Sequence, residues 1–235
     1  MKNEREFLTP GDCENNDTNS RRCEFDIKNE QLFFTPDSKI DILFAGDSIT
    51  HFMEAGQFYH KFGFIVNRGI GGDMANTLAW RFAADVTQLA PRLCIILVGC
   101  NNLWFLEDCI DSETGDYREE DQQKAVKIII DSHVKMINEA KENGIEIWVG
   151  SLLPQGAQVG NNAIRNKIIK RVNGELEKMC AEMGVTFIDY FSNMTKEDGL
   201  TLLDNTSREG IHPNHAGYEL MRQVLEPKLC EFFKK

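Results

Sequence analysis

A chain of 235 residues is long enough to bury roughly 70–75% of its unfolded surface without disulfide or metal staples, and 42% hydrophobic with 27% charged residues is an ordinary globular composition. A net charge of −11 argues against nucleic acid as the main partner, because a phosphate backbone requires a basic face. The seven cysteines include no Cys-x-x-Cys pair, which excludes the usual signature of a zinc site or a disulfide framework, and no run of apolar residues is long enough to span a membrane.

Residues 1–38 are polar and read as an N-terminal arm, with GDCENNDTNSRRCE its most loop-like part. Phe25, Leu32, Phe33 and Phe34 suggest that the arm docks on the body. The opening MKNEREFLTPGD lacks the apolar core of a secretory signal, so a cytoplasmic protein is expected. From Lys39 a rhythm begins that runs as one domain over 39–235. KIDILFAG (39–46) and GFIVNRG (63–69) read as strands. A helix is expected over 74–90, where Leu78, Phe82, Val86 and Leu89 recur at helical spacing before Pro91. LCIILVG (93–99) is continuously apolar, as a strand covered on both faces should be. A second helix over 121–143 ends at Gly144, and IEIWVGS (145–151) follows as a strand. A third helix over 160–183 ends at Gly184, before the strand VTFIDY (185–190), and a last helix covers roughly 215–233. Glycine just past a helix end accepts the left-handed conformation other residues resist. Cys94 and Cys180 fall on buried faces and read as small core hydrophobes. Strand alternating with helix implies an α/β domain with a five-stranded parallel sheet between two helical layers.

In such a sheet, ligands bind beyond the carboxyl ends of the strands. The first strand is followed by Gly46-Asp47-Ser48, the second by NRGIGGD (67–73) and the third by GCNN (99–102). The segment REGIHPNHAGY (208–218) adds a loop histidine beside an acid. Each has a structural explanation on its own: Ser48 as a helix cap, the glycines as a tight turn, Asn101 as a cap, His212 and Glu209 as a surface ion pair. Together they supply the hydroxyl, base, orienting acid and oxyanion donors that serine acyl transfer needs.

These segments resemble, in block order over about Lys39–Tyr218, the GDSL-type esterases and lipases of the SGNH hydrolase superfamily. FAGDSIT looks like the first block, which makes Ser48 the nucleophile and its N–H an oxyanion donor. NRGIGGD resembles the second, with a backbone donor at Gly72, and VGCNN the third, with a side-chain donor at Asn101. EGIHPNHAGY resembles the last, with His212 as base and Glu209 as its acid. NRGIGGDMANTLAWR followed by LVGCNN looks most like the platelet-activating-factor acetylhydrolase-like and carbohydrate-acetylesterase branches. The resemblance implies a flavodoxin-like three-layer α/β/α sandwich with strand order 2-1-3-4-5. It also implies a serine esterase that cleaves short-chain, chiefly acetyl, esters of a small molecule or carbohydrate through an acyl-enzyme, with no metal or organic cofactor. The family usually places Asp where this chain has Glu209, so Asp204 or a backbone carbonyl stands as an alternative orienting group; Asn102, where many members have Asp, is expected to be structural.

An acyltransferase would use the same residues, and a catalytically impaired binding protein would keep the fold. An α/β-hydrolase expects Gly-x-Ser-x-Gly, whereas Thr50 occupies the last position here. A flavin- or nucleotide-binding flavodoxin-like protein is a weaker rival. His51 is a lesser candidate base, His215 a candidate helix cap and His133 a core histidine. Trp104 and Phe105 either line an acyl or sugar pocket or pack beneath the loop 106–120. Oligomeric state is not legible in the sequence.

Overall fold

The computed structural model describes residues 6–11, 16–35 and 39–234. Five parallel strands stand in the order β2-β1-β3-β4-β5: β1 (Ile42–Gly46), β2 (Ile65–Gly69), β3 (Leu93–Leu97), β4 (Glu146–Gly150) and β5 (Thr186–Ile188). Each strand is shorter than the segment read for it from the sequence, and at two ends a polar side chain takes over the backbone. Asp41 turns its carboxylate onto the Phe64 N–H (2.8 Å) ahead of β1, and Asp189 leaves β5 to cap the next helix through the Ser192 N–H (3.0 Å).

Adjacent residues point to opposite sides of a strand, and both sides here are covered. Leu43, Ala45, Cys94, Ile96, Ile147 and Val149 face one helical layer: α4 (Ala75–Asp85), α5 (Glu119–Glu142) and α6 (Asn162–Met183). Ile42, Phe44, Leu93, Ile95 and Trp148 face the other, where α8 (His215–Phe233) supplies Met221, Leu225 and Leu229. The short helices α2 (Ser48–His51), α3 (Ala55–Tyr59) and α7 (Tyr190–Met194) complete that side. This is the flavodoxin-like three-layer sandwich. Its chain leaves β1 toward β2 and returns past it to β3, so the carboxyl end of β1 is a switch point. Among the described residues, no helix is long and apolar enough to cross a membrane.

The arm differs from its sequence reading. Residues 12–15 of the loop-like stretch lie outside the described residues, but from Asn16 the chain is helical as α1 (Asn16–Phe34). The face it docks mixes charge with apolar groups: Arg22, Phe25 and Asn29 are all buried. Asn29 Nδ2 donates to Asp85 Oδ1 (2.7 Å) and to the Ala84 carbonyl (3.1 Å) at the end of α4. A polar docking face leaves no apolar periodicity to read, which is why the segment looks like loop.

Beneath the carboxyl edge lies a buried ionic cluster. Arg81 of α4 donates to Asp73 Oδ2 (2.8 Å) and Asp85 Oδ2 (2.7 Å), and through Nη2 to the carbonyls of Gly46 (3.1 Å) and Arg68 (2.9 Å). Arg22 reaches the other Asp85 oxygen from α1. Replacing Asp85 by Ala leaves two buried guanidinium groups short of a counter-charge and should cost about 3–5 kcal/mol in urea unfolding. The same change at Asp131, whose pairing with Lys127 is exposed, should cost under about 1 kcal/mol.

Candidate active site

β1 ends at Gly46, where a side chain is impossible: a Cβ there would lie 2.2 Å from the Leu97 carbonyl and 2.4 Å from Thr50 Oγ1. The next residue, Asp47, caps α2 by accepting the Ile49 N–H (3.0 Å). The cap is therefore Asp47 and not Ser48, whose hydroxyl is left free of that duty. Asp47 is fully buried, and burial pushes its carboxyl up to about 7. The Cys100 thiol donating to Oδ2 (3.1 Å) and the Ile49 N–H pull the other way, while Asp73 adds to the rise.

Ser48 Oγ lies 2.9 Å from His212 Nε2, across a sequence separation of 164 residues. His212 Nδ1 meets Glu209 Oε1. A carboxylate only accepts, so Nδ1 carries the proton and Nε2 is the acceptor for the Ser48 hydroxyl. The extra methylene of glutamate is taken up by folding back: Glu209 Oε2 accepts Ser207 Oγ–H (2.8 Å) and the Ile211 N–H (3.0 Å), and Oε1 accepts the His212 N–H (3.0 Å). Partial burial raises the Glu209 pKa, but these hydrogen bonds outweigh it and hold the carboxyl at about 2. The loop is tied down by Gly156 N–H to the Gly210 carbonyl (2.7 Å) and Asn214 N–H to the Thr206 carbonyl (2.9 Å). Phe52 meets the His212 ring edge-on at 5.0 Å.

The turn after β2 carries the glycines. Gly69 allows the backbone of α2 to pass, since a Cβ there would sit 2.2 Å from the His51 nitrogen. The Gly71 N–H donates to His51 Nδ1 (3.1 Å). Gly72 has φ +82, and among the described residues its N–H makes no hydrogen bond. Asn101 Nδ2 donates one hydrogen to the Asp73 carbonyl (2.8 Å), and Oδ1 accepts Trp104 Nε1–H (3.2 Å), which fixes the amide and leaves one N–H to spare. Asn102 is structural: its Oδ1 accepts the Ala75 N–H (2.8 Å) at the start of α4.

The alternatives fall away on geometry. Asp204 pairs with Lys196 (2.8 Å) at the surface, away from His212. His51 is engaged by Gly71 and Arg21, not by Ser48. His215 is the first residue of α8, and Asn214 is its cap through the Gly217 N–H (3.2 Å). His133 is buried in the core against the Ile129 carbonyl (2.8 Å), its pKa lowered to about 4 by burial, with that hydrogen bond opposing. Trp104 does more than pack: its indole orients Asn101 and lies over the Arg165 guanidinium at 3.8 Å.

The GDSL-like lipase/acylhydrolase family profile matches residues 44–220. The chain belongs to that family. Solved structures similar to this GDSL-like acylhydrolase include a GDSL-like lipase from Bacteroides thetaiotaomicron (22% identity, TM-score 0.71, covering 89% of this chain and 97% of that one). A protein named provisionally as an acylhydrolase, from Bacteroides fragilis, is 26% identical with TM-score 0.69 over 88% of this chain and 94% of its own. An acetyl-xylooligosaccharide esterase from Geobacillus is 16% identical, with TM-score 0.63 over 81% of this chain and 94% of that one. No curated protein matches the sequence. As a GDSL-like acylhydrolase the protein is a serine ester hydrolase.

Two parts of this GDSL-like site escaped the sequence reading. Asp47 looked like turn chemistry. Arg81 and Asp85 share the stripe of Leu78 and Phe82 at i, i+3, i+4 and i+7, so a charged pair on an apolar face was the available signal. The raised Asp47 pKa has a sign. The folded protein holds this proton while the unfolded chain releases it, so stability is lost as pH rises from 3.8 through about 7. Asp47→Asn keeps the cap and removes that loss, so its stability relative to the native protein should rise across that interval in unfolding titrations.

Proposed function

We propose that this acylhydrolase removes short acyl groups, acetyl above all, from a small hydroxylated molecule or carbohydrate through an acyl-enzyme on Ser48. One observation carries the reading: the His212 imidazole lies 2.9 Å from the Ser48 hydroxyl while its far nitrogen meets the Glu209 carboxylate. Serine at its free pKa is a poor nucleophile, and this arrangement removes its proton as it attacks. The Ser48 Oγ–C bond forms, the proton passes to His212 Nε2, and the carbonyl oxygen becomes an oxyanion. The N–H groups of Ser48 and Gly72 and the spare Asn101 N–H are its proposed donors. Collapse breaks the ester C–O bond, and Nε2–H protonates the leaving alcohol. Water then gives a proton to Nε2, attacks the acyl carbon and displaces Ser48 Oγ, which recovers the proton.

Two features support a small acyl group. Ser48 is only 8% exposed, so approach is narrow. Among similar structures is an acetyl-xylooligosaccharide esterase, and a serine-to-alanine form of an acetylxylan esterase is described as a catalytic mutant.

Hydrolysis of p-nitrophenyl acetate should exceed that of longer-chain esters. Ser48→Ala and His212→Ala should each lower kcat by at least about 10³-fold, and undiminished turnover in Ser48→Ala would end the reading. Glu209→Gln should cost about 10²–10⁴-fold in kcat, since the amide favours the wrong tautomer. Asn101→Ala should lower kcat by about 10²–10³-fold with KM nearly unmoved, the pattern of a donor used only in the transition state.

A further inference from the structure

A cavity of about 490 Å3 lies between α1 and the edge strand β2. Its walls carry Arg21 and Lys28 from α1, His51 from α2 and Arg68 from β2, and Glu54 is the one carboxylate among its lining residues. Lys28 is engaged by Glu24, which also acts on Arg21 and His51 at longer range. In a chain of net charge −11, a basic cavity runs against the composition.

Arg21 and Arg68 are among the arginines with no carboxylate in contact; among the described residues Arg92, which lies over the Phe232 and Phe233 rings, and Arg208 are the others. Arg22, Arg81, Arg118, Arg165, Arg171 and Arg222 each meet a carboxylate. Among the described residues, Arg21 and Arg68 form no ion pair. Arg21 and Arg68 each lie over the Phe25 ring, at 5.2 and 4.9 Å from its centroid. Arg68 is held in place by Nε–H to Asn29 Oδ1 (2.7 Å) and Nη1–H to the Asn67 carbonyl (3.0 Å), with Nη2 left over. Asp85 and, more weakly, Glu24 act on Arg68 at longer range; Asp85 is already engaged by Arg22 and Arg81, and Glu24 by Lys28. A cation this buried without a contacting anion is an unfilled requirement.

His51 sharpens the point. Its Nδ1 accepts the Gly71 N–H, and a neutral imidazole has only one acceptor nitrogen. Its Nε2 therefore carries the hydrogen, and that N–H faces Arg21 Nη1, another donor. Burial, with Arg21 next in effect, lowers the His51 pKa, while Glu24 opposes. Two donors in direct contact are reconciled when an acceptor on the cavity side receives both and draws them apart, and a negatively charged oxygen is the strongest one.

The cavity is linked to Ser48 through His51, one of its lining residues. A Cβ on Gly71 would lie 3.5 Å from His51 Nδ1 and 3.9 Å from Ser48 Cβ, so His51 and Ser48 flank the same glycine. We propose that this cavity is a subsite for an oxyanion, a carboxylate, sulfate or phosphate, carried on the alcohol portion of the ester cleaved at Ser48. Arg21, His51 and Arg68 receive the anion, and the Phe25 ring supports both guanidinium groups. The inference rests on the Ser48 reading and narrows its substrate class to acyl esters of acidic alcohols, acidic sugars among them.

The test compares an O-acetylated methyl glucuronide with the O-acetylated methyl glucoside, which differs by the carboxylate alone. The native enzyme should favour the anionic ester in kcat/KM by at least about tenfold, the worth of one charge-assisted hydrogen bond. Arg21→Gln, on the rim of the cavity, should erase most of that preference through KM; Arg68→Gln should do the same if it folds. Sulfate ion should compete with the anionic ester. Equal kcat/KM for the two esters, or equal losses on both in Arg21→Gln, overturns the proposal. Sulfate accelerating the neutral ester would instead make the cavity an effector site for a free anion and overturns it too. Calorimetry on Ser48→Ala separates this from the mechanism. That protein should bind the acetylated glucuronide at least about tenfold more tightly than the glucoside, whatever the fate of Ser48 as nucleophile.

Discussion

The arrangement of the site depends on one buried guanidinium. Arg81 sits in α4 below the carboxyl edge of the sheet and holds carbonyls at the ends of two neighbouring strands, Gly46, the last of β1, and Arg68, the next to last of β2. The two strands lead into the Ser48 turn and the glycine turn. The same side chain meets Asp73, where the glycine turn enters α4, and Asp85 one turn further along its own helix. An arginine is required because only its planar fork presents five donors in fixed directions; a lysine would satisfy fewer of these acceptors and aim none of them. The charge is tolerable in the interior because it is met by two carboxylates with good geometry.

On that base the upper site is assembled by close approach. Gly46 and Gly69 let three backbone segments pack at distances no side chain would permit. Asp47 takes the capping duty that Ser48 would otherwise perform, and the Tyr218 hydroxyl donates to the Ile49 carbonyl (2.7 Å), which ties the last helix to the turn that carries the serine. The His212 loop is rigid for a local reason: Glu209 accepts from two backbone N–H groups and a serine hydroxyl while also holding the imidazole. Glutamate thus orders its own loop, and folding back lets its longer side chain reach His212 Nδ1.

The N-terminal helix changes how the molecule is understood. It is not a loose appendage but the far wall of a cavity beside the site. Its Arg22 and Asn29 enter the same ionic cluster that Arg81 organises, so the packing of the arm and the geometry of the catalytic edge share one set of carboxylates. The proposed anion subsite grows from this: with Asp85 committed to Arg22 and Arg81, neither arginine nearer the cavity has a carboxylate in contact among the described residues.

The architecture was largely legible in the chain itself. Continuous apolar runs such as LCIILVG, alternating with helical stripes closed by glycine, specify a parallel sheet covered on both faces, because no other arrangement buries them all. The residues proposed for acyl transfer were also named from the sequence, since a few side-chain types at strand ends can do that chemistry. What sequence could not supply was contact between segments far apart in the chain. That His212 meets Ser48 across 164 residues, that Asp47 rather than Ser48 caps the turn, and that a polar helix docks through Arg22, Phe25 and Asn29 are consequences of three-dimensional convergence. Local pattern records which face of an element is apolar; it does not record which charges meet once those faces are buried, and here those meetings set the site.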